Sequence, residues 1–220
     1  MAYSNKGSYI KVMKISYAIT VCDEFLEIQN LLYFILKRKR PEDEVVVLVD
    51  LTKNPPTSEL LGYLHKLSSD NYITLAEQNF NGDFSRWKNL LNRSCSGDYI
   101  VNIDADEIPT EYFMEHVPTL LETNDVDMIM VPRVNTVEGL TQSHIDKWGW
   151  NVNKDGWVNW PDPQMRIYKN TDSIKWVNKV HEVLEGYKTV TNLPINEEWA
   201  FRHPKTIDRQ EKQNNYYNTL

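Results

Sequence analysis

No apolar run in the 220 residues approaches the roughly 20 needed to cross a bilayer; Leu31–Leu36 and Val45–Val49 are the longest. The start, Met1 to Lys14, carries neither the apolar h-region nor the small-residue cleavage site of a secretory signal, so residence in a cytoplasm is the expectation. Cysteine is scarce. Cys22 and Cys95 lie far apart and in no C-x-x-C pair, which excludes a zinc or dithiol redox motif and suits a reducing compartment. Basic charge is in deficit, with 24 Lys and Arg against 31 Asp and Glu, a formal net charge of -7. That balance excludes general nucleic-acid binding, which depends on a basic footprint to displace counterions. The one basic run, Lys37-Arg38-Lys39-Arg40, closes a predicted helix, where cations suit the negative end of the dipole; a phosphate-binding patch is the alternative reading.

What is present describes a globular chain. Hydrophobic residues make up 41% and charged residues 25%, enough for one large domain, or at most two small ones, with an apolar core that needs no disulfide or structural metal. Strand-like runs begin near Ile15, Val45, Tyr72, Tyr99 and Met128, and the stretches between them each have room for one helix. Glu24 to Arg40 reads as such a helix, with Asp23 as N-cap, Phe25, Ile28, Leu32 and Ile35 at helical spacing, and Pro41 at its end. Further helices are expected over 58–67, 84–95 and 110–121, with Asn54-Pro55-Pro56 and Ser96-Gly97 as breakers. Val45–Val49 and, but for Asn102, Tyr99–Ile103 are continuously apolar rather than alternating, the mark of strands covered on both faces. The fold class expected is therefore α/β: a mostly parallel sheet flanked by helices.

Beyond Val134 the texture changes. Residues 135–163 show neither helical nor strand periodicity and hold Trp148, Trp150, Trp157 and Trp160 within thirteen residues. A long loop or short helical insertion fits. One helix face cannot bury four indoles, and sugar rings pack their C–H faces on such rings, so acceptor binding is the functional reading and core shielding the other. Gln164–Lys169 and Val190–Leu193 read as strands, and the tail from Ile207 as a polar helix.

Ligands of open parallel sheets bind at the carboxyl ends of the strands. Three of those ends carry carboxylates: Asp23 and Glu24 after the first strand, Asp50 after the second, and Asp104-Ala105-Asp106-Glu107 after the fourth. A buried strand delivering two carboxylates one residue apart sets hard oxygen ligands at a sheet edge, suited to Mg²⁺ or Mn²⁺ shared with a substrate phosphate. A helix cap or solvated turn is the alternative.

These residues resemble glycosyltransferase family 2, whose members have the nucleotide-sugar-binding GT-A (Rossmann-like) fold. The resemblance covers nearly the whole chain. It rests on Ile19-Thr20-Val21-Cys22-Asp23-Glu24, Val45 to Asp50, Asn81-Gly82-Asp83-Phe84-Ser85-Arg86-Trp87-Lys88-Asn89, and Ser96-Gly97-Asp98-Tyr99 ahead of Asp104-Ala105-Asp106. Residues 161–168 (PDPQMRIY), Val180-His181-Glu182 and a late His203 resemble the lipopolysaccharide-core β-glucosyltransferase branch. The resemblance implies one domain over 1–220, its 1–134 half binding the nucleotide sugar and its 135–220 half the acceptor, with a small antiparallel C-terminal portion. Thr20, Val21 and Glu24 would line the base pocket, Asp50 would bond the uracil or ribose, and Lys88 would lie near the nucleotide. Asp104 would contact ribose or metal, Asp106 would be the principal ligand of Mn²⁺ or Mg²⁺, and His203 would assist at the metal or pyrophosphate. Glu182 would be the catalytic base of an inverting transfer from a UDP-sugar, glucose first among the donors, to a glycan or glycolipid hydroxyl. Asp50-Leu51-Thr52-Lys53-Asn54 departs from the family's usual second-strand turn.

Other classes fit less of the pattern. A haloacid-dehalogenase phosphohydrolase expects Thr where Ile108 stands, and a nucleotidyltransferase expects a Gly-rich loop where Thr20 to Glu24 holds none. A non-catalytic sugar-nucleotide or carbohydrate-binding protein would present the same pocket without turnover.

Overall fold

Strand formation follows the apolar text. The computed structural model describes residues 12–52 and 57–217. In chain order its elements are β1 (Ile15–Val21), α1 (Phe25–Leu36), β2 (Glu44–Asp50), α2 (Ser58–Ser69), β3 (Thr74–Gln78), α3 (Phe84–Asn92), β4 (Tyr99–Asp104), α4 (Glu111–Thr123), β5 (Met128–Val131), β6 (Arg133–Glu138), α5 (Gln142–Trp148), β7 (Gln164–Lys169), β8 (Lys175–Val177), β9 (Val183–Glu185), β10 (Val190–Asn192), β11 (Phe201–Thr206) and α6 (Ile207–Tyr217). Seven strands form one sheet in the order β10-β5-β7-β4-β1-β2-β3. Every neighbouring pair is parallel except those of β7, which runs against both β4 and β5. β8 and β9 make a small antiparallel pair, whereas β6 and β11 pair in parallel.

The two covered faces of β1 and β2 explain why both strands are mostly apolar and why Val45–Val49 is unbroken. Tyr17, Ile19, Val45 and Val47 pack beneath α1, α2 and α4 against Ile28, Leu32, Leu60 and Phe113. Ala18, Val46 and Leu48 face the other way, onto Trp87 and Leu91 of α3 and Trp176 and Leu184 of the β8–β9 pair. Both sides are dry, so alternation would have left polar groups buried. At the turn before β4, a Cβ on Gly97 would lie 2.6 Å from the backbone nitrogen of Ser16, an approach only glycine tolerates.

Several element ends differ from expectation. The first helix stops at Leu36, and residues 37–40 leave it as a turn in which the Arg38 and Lys39 N–H groups both donate to the Ile35 carbonyl. Its N-cap is Glu24, not Asp23, and no side chain caps it: the Glu24 carboxylate turns back to accept from the Cys22 and Asp23 N–H groups at 2.8 and 3.1 Å. The basic run has structural partners. Arg40 binds Asp43, Glu122 and the Met13 carbonyl, and Arg38 binds Glu111. β6 and β11 were not expected as strands; each is short, half polar and stabilised by pairing with a distant segment rather than by its own pattern. Asn54-Pro55-Pro56 lies outside the described residues.

Candidate active site

The carboxyl ends of β4, β1 and β2 are adjacent, with Thr20 opposite Asp104 on one side and Leu48, two residues before Asp50, on the other. This edge opens into a cavity of about 960 Å³ lined by Thr20, Val21, Glu24, Asp50, Asp104 and Asp106. Lys88, Glu182, His203 and Trp150 line it too. Asp50 is buried and accepts from the N–H groups of Thr52 and Phe80 at 2.7 and 3.1 Å, which ties the end of β2 to the loop after β3. Burial raises the Glu24 carboxyl above its ordinary range, against the opposing pull of the Cys22 N–H and Arg209.

Asp104 and Asp106 have different surroundings. Burial works against ionisation of Asp104, but the Arg166 guanidinium, 2.6 Å away, holds its carboxyl well below the usual range. Arg166 also binds Glu107, which is wholly buried and binds Arg133 in turn at 3.0 Å; Arg133 continues to Asp162 at 2.7 Å. For Asp106, burial is again outweighed, here by His203, whose ring nitrogen at 3.2 Å keeps the carboxyl at about 2. Asn135 joins the two arms, its amide N–H donating to Asp162 at 2.7 Å while its carbonyl oxygen lies 2.7 Å from His203 Nδ1. A closed circuit of charged and polar groups thus links the two ends of Asp104-Ala105-Asp106 through β4, β6, β7 and β11.

The circuit bears on the metal. With the Asn135 amide fixed by Asp162, its oxygen accepts from Nδ1–H of His203, and a neutral imidazole then points its Nε2 lone pair at a carboxylate. Two acceptors facing each other require a second proton or a cation between them. An imidazole and carboxylate oxygens, with further positions left to phosphate oxygens, suit Mn²⁺ or Mg²⁺. Among the described residues no group of three His, Cys, Asp or Glu forms a complete cation cage.

Glu182 lies in the loop before β9, after His181 in left-handed backbone geometry (φ 55°). Lys88, buried on α3, holds the Glu182 carboxylate at 2.7 Å and stands 4.4 Å over the Trp176 ring. Asn89 secures that arrangement, giving and taking a hydrogen bond with the Trp176 backbone.

The four tryptophans do not act together. Trp150 lines the cavity and contacts Trp148, which stacks on His144, while Trp157 and Trp160 pack on each other away from the lining. None belongs to either core cluster. Sequence reasoning missed Arg133, Asn135, Lys205 and Arg209, and it gave no role of their own to Arg166, inside the 161–168 motif, or to Glu107, at the end of the carboxylate run. Two signals were available: Arg166 is a charge inside a strand whose neighbours are apolar, and Glu107 follows the paired aspartates directly.

A carboxylate-bearing edge of a mostly parallel sheet, facing one large cavity, defines an α/β fold of GT-A architecture. The chain belongs to glycosyl transferase family 2, whose sequence model matches residues 16–183. No curated protein matches the sequence. Among solved structures, S. aureus TarS 1-349 shares the fold at 15% identity and a TM-score of 0.61, over 87% of this chain and 60% of that one. The complexes of TarS 1-349 with UDP (15%, TM-score 0.62, 87% and 60%) and with UDP-GlcNAc (16%, TM-score 0.61, 88% and 59%) match similarly. This chain therefore spans about 60% of the TarS chains it resembles.

Proposed function

We propose that this glycosyltransferase moves a sugar from a UDP-sugar, glucose first, to a hydroxyl of a glycan or glycolipid with inversion at the anomeric carbon. The observation that carries this reading is the gathering of Asp104, Asp106, His203, Lys88 and Glu182 around one cavity at the carboxyl edge of the sheet. The TarS structures with UDP and UDP-GlcNAc support uridine donors on this fold, and the motifs at 161–168 and 180–182 support glucose. Thr20, Val21, Glu24 and Asp50 form the uridine side. Asp106 and His203 would hold Mn²⁺ or Mg²⁺, with Asp104 offering the oxygen that Arg166 leaves free. When bound, the cation supplies Lewis-acid neutralisation of the departing diphosphate.

The chain's own groups do the rest. Glu182 accepts the proton of the acceptor hydroxyl as its oxygen bonds to the anomeric carbon and the bond from that carbon to the diphosphate oxygen breaks. Lys88 fixes the Glu182 carboxylate, and Arg166 with Glu107 fixes Asp104, so neither must be ordered during reaction. Trp150 offers an apolar face to the acceptor; Trp148 supports it from behind, and Trp157 and Trp160 stiffen the loop. We read residues 1–134 as the donor half and 135–220 as the acceptor half of one domain, working in a cytoplasm, as its scarcity of cysteine suits. Among the described residues no helix is long and apolar enough to cross a membrane.

The test is a panel of UDP- and GDP-sugars scored for release of the nucleotide with Mn²⁺, Mg²⁺ or EDTA. Cation-dependent UDP release, fastest from UDP-glucose, is expected. Release of GDP in preference to UDP, or full activity in EDTA, would refute the donor or the metal respectively.

A further inference from the structure

His203 apart, the end of β11 and α6 carry no functional signal in the sequence, where the segment from Ile207 reads as a polar helix, yet they wall one side of the cavity. His203 and Lys205 alternate toward it while Arg202 and Pro204 stay exposed. Pairing with β6 fixes this orientation, His203 opposite Asn135 and Lys205 opposite Val137. One turn into α6, Arg209 reaches Glu27 at 2.8 Å, Glu24 at 3.2 Å and Asp106 at 3.4 Å, which locks the helix against α1 and the metal carboxylate.

Lys205 differs from four other cations that line the cavity or stand behind it. Arg166, Arg133, Lys88 and Arg209 each meet a carboxylate. The Lys205 ammonium instead donates to the neutral side-chain oxygen of Gln213 at 2.6 Å, and among the described residues no carboxylate lies within ion-pair distance of it. A half-buried cation with no contact ion pair, only the more distant charges of Asp106 and Asp104, is costly to desolvate unless an anion from outside completes it. The neighbouring carboxylates are committed elsewhere, Asp104 to Arg166 and Asp106 to His203.

We propose that Lys205 is the residue of this chain that receives the donor's diphosphate, carried there by the β6–β11 pair and held in place by Gln213 and Arg209 of α6. This rests on the donor reading above and adds to it the leaving-group contact. The placement follows from alternation: two residues after His203, Lys205 presents its charge on the same face, where the diphosphate of a nucleotide held at Thr20 and Asp50 and bridged to Asp106 must lie.

The experiment is calorimetry of the full chain in Mn²⁺ with UDP, uridine and inorganic diphosphate, for the wild type, Lys205→Ala and Lys205→Arg. Losing one charge-assisted contact should weaken UDP and inorganic diphosphate about 10- to 100-fold in Lys205→Ala. Uridine affinity should stay unchanged, which also shows that the variant is folded, and Lys205→Arg should recover most of the loss. Unchanged UDP affinity in Lys205→Ala overturns the proposal, as does equal weakening of UDP and uridine, which would mark a purely structural role. A wild type that binds inorganic diphosphate through Lys205 but not UDP keeps the anion site and overturns the uridine donor. Binding of neither removes both readings.

Discussion

The two halves of the cavity are built by opposite means. On the side proposed for the donor, Thr20, Asp50 and Asp104 stand at the ends of parallel strands buried on both faces, and their positions follow from backbone pairing that no single side chain controls. On the far side, Arg133, Asn135, Glu182, His203 and Lys205 come from short strands and a loop, and side-chain bonds between distant segments set where they stand. The lesson is a division of labour: hydrophobic burial positions the paired aspartates, and a nonlocal polar circuit fixes their charge state and orientation. Damage to the far side should therefore alter chemistry or stability sharply, while the strand ends keep their shape.

The largest effect is expected at Glu182. Glu182→Gln preserves the hydrogen bond from Lys88 and removes the basicity, so turnover should fall roughly 10²- to 10⁴-fold while UDP affinity is retained. Steady-state kinetics beside a UDP isotherm separates the two, and normal turnover would assign the base to another group. Two other acids stand in the same half of the chain: Asp162 lines the cavity but is held by Arg133, and Asp155 is exposed outside it. Next is Asp106→Ala, which takes away the carboxylate facing His203 and should lower turnover by at least ~100-fold, the scale of one transition-state electrostatic contact. Mn²⁺ titration of the residual rate checks it: an unaltered metal response would clear Asp106 of that duty.

Smaller effects concern stability. Glu107→Ala leaves Arg166 and Arg133 without their shared buried partner and should cost about 3–5 kcal/mol, read by urea unfolding. A loss below ~1 kcal/mol would show that Asp104 and Asp162 suffice to hold the two arginines. At the opposite end of the sheet, Glu44 is held at about 2: burial opposes this, but Lys14, Ser16 and Ser96 bond the carboxylate. Its folded pKa lies below its ordinary 4.5, so the stability it adds is complete above about pH 4.5 and disappears as pH falls toward 2. Glu44→Gln should show a shallower decline in stability between those pH values; an identical decline would mean that the contacts contribute nothing. The smallest expected effect is on thiol labelling. Burial, aided by the Glu44 charge, pushes the Cys95 thiol up to about 12, so iodoacetamide at pH 8 should spare it. Cys22 lines the cavity beside Asp50, and UDP should slow its labelling; rapid labelling of Cys95, or no protection of Cys22, would count against this arrangement.

How much of this the sequence disclosed follows the same division. Apolar runs announced β1, β2 and β4, and the residues just after them announced the carboxylate-bearing edge, because those signals are local. β6 and β11 escaped because their stability comes from each other across some seventy residues, a pairing that no periodicity reveals. Asp23 offered good capping chemistry, yet the first helix begins with Glu24 folded back on the preceding N–H groups, an outcome coupled to Arg209 far along the chain. The tryptophan cluster was legible as unusual but not as two pairs, since composition does not say which indoles stack on each other.

The most direct measurement is a crystal structure with UDP and Mn²⁺ bound. Density is expected for uracil beside Thr20 and Asp50, for the cation on Asp106 and His203, and for the diphosphate against Lys205. Nucleotide density elsewhere, for example in the shallow cleft lined by Tyr99 and Lys169 at the opposite edge of the sheet, would contradict the assignment of the carboxylate-bearing strand ends as the donor site.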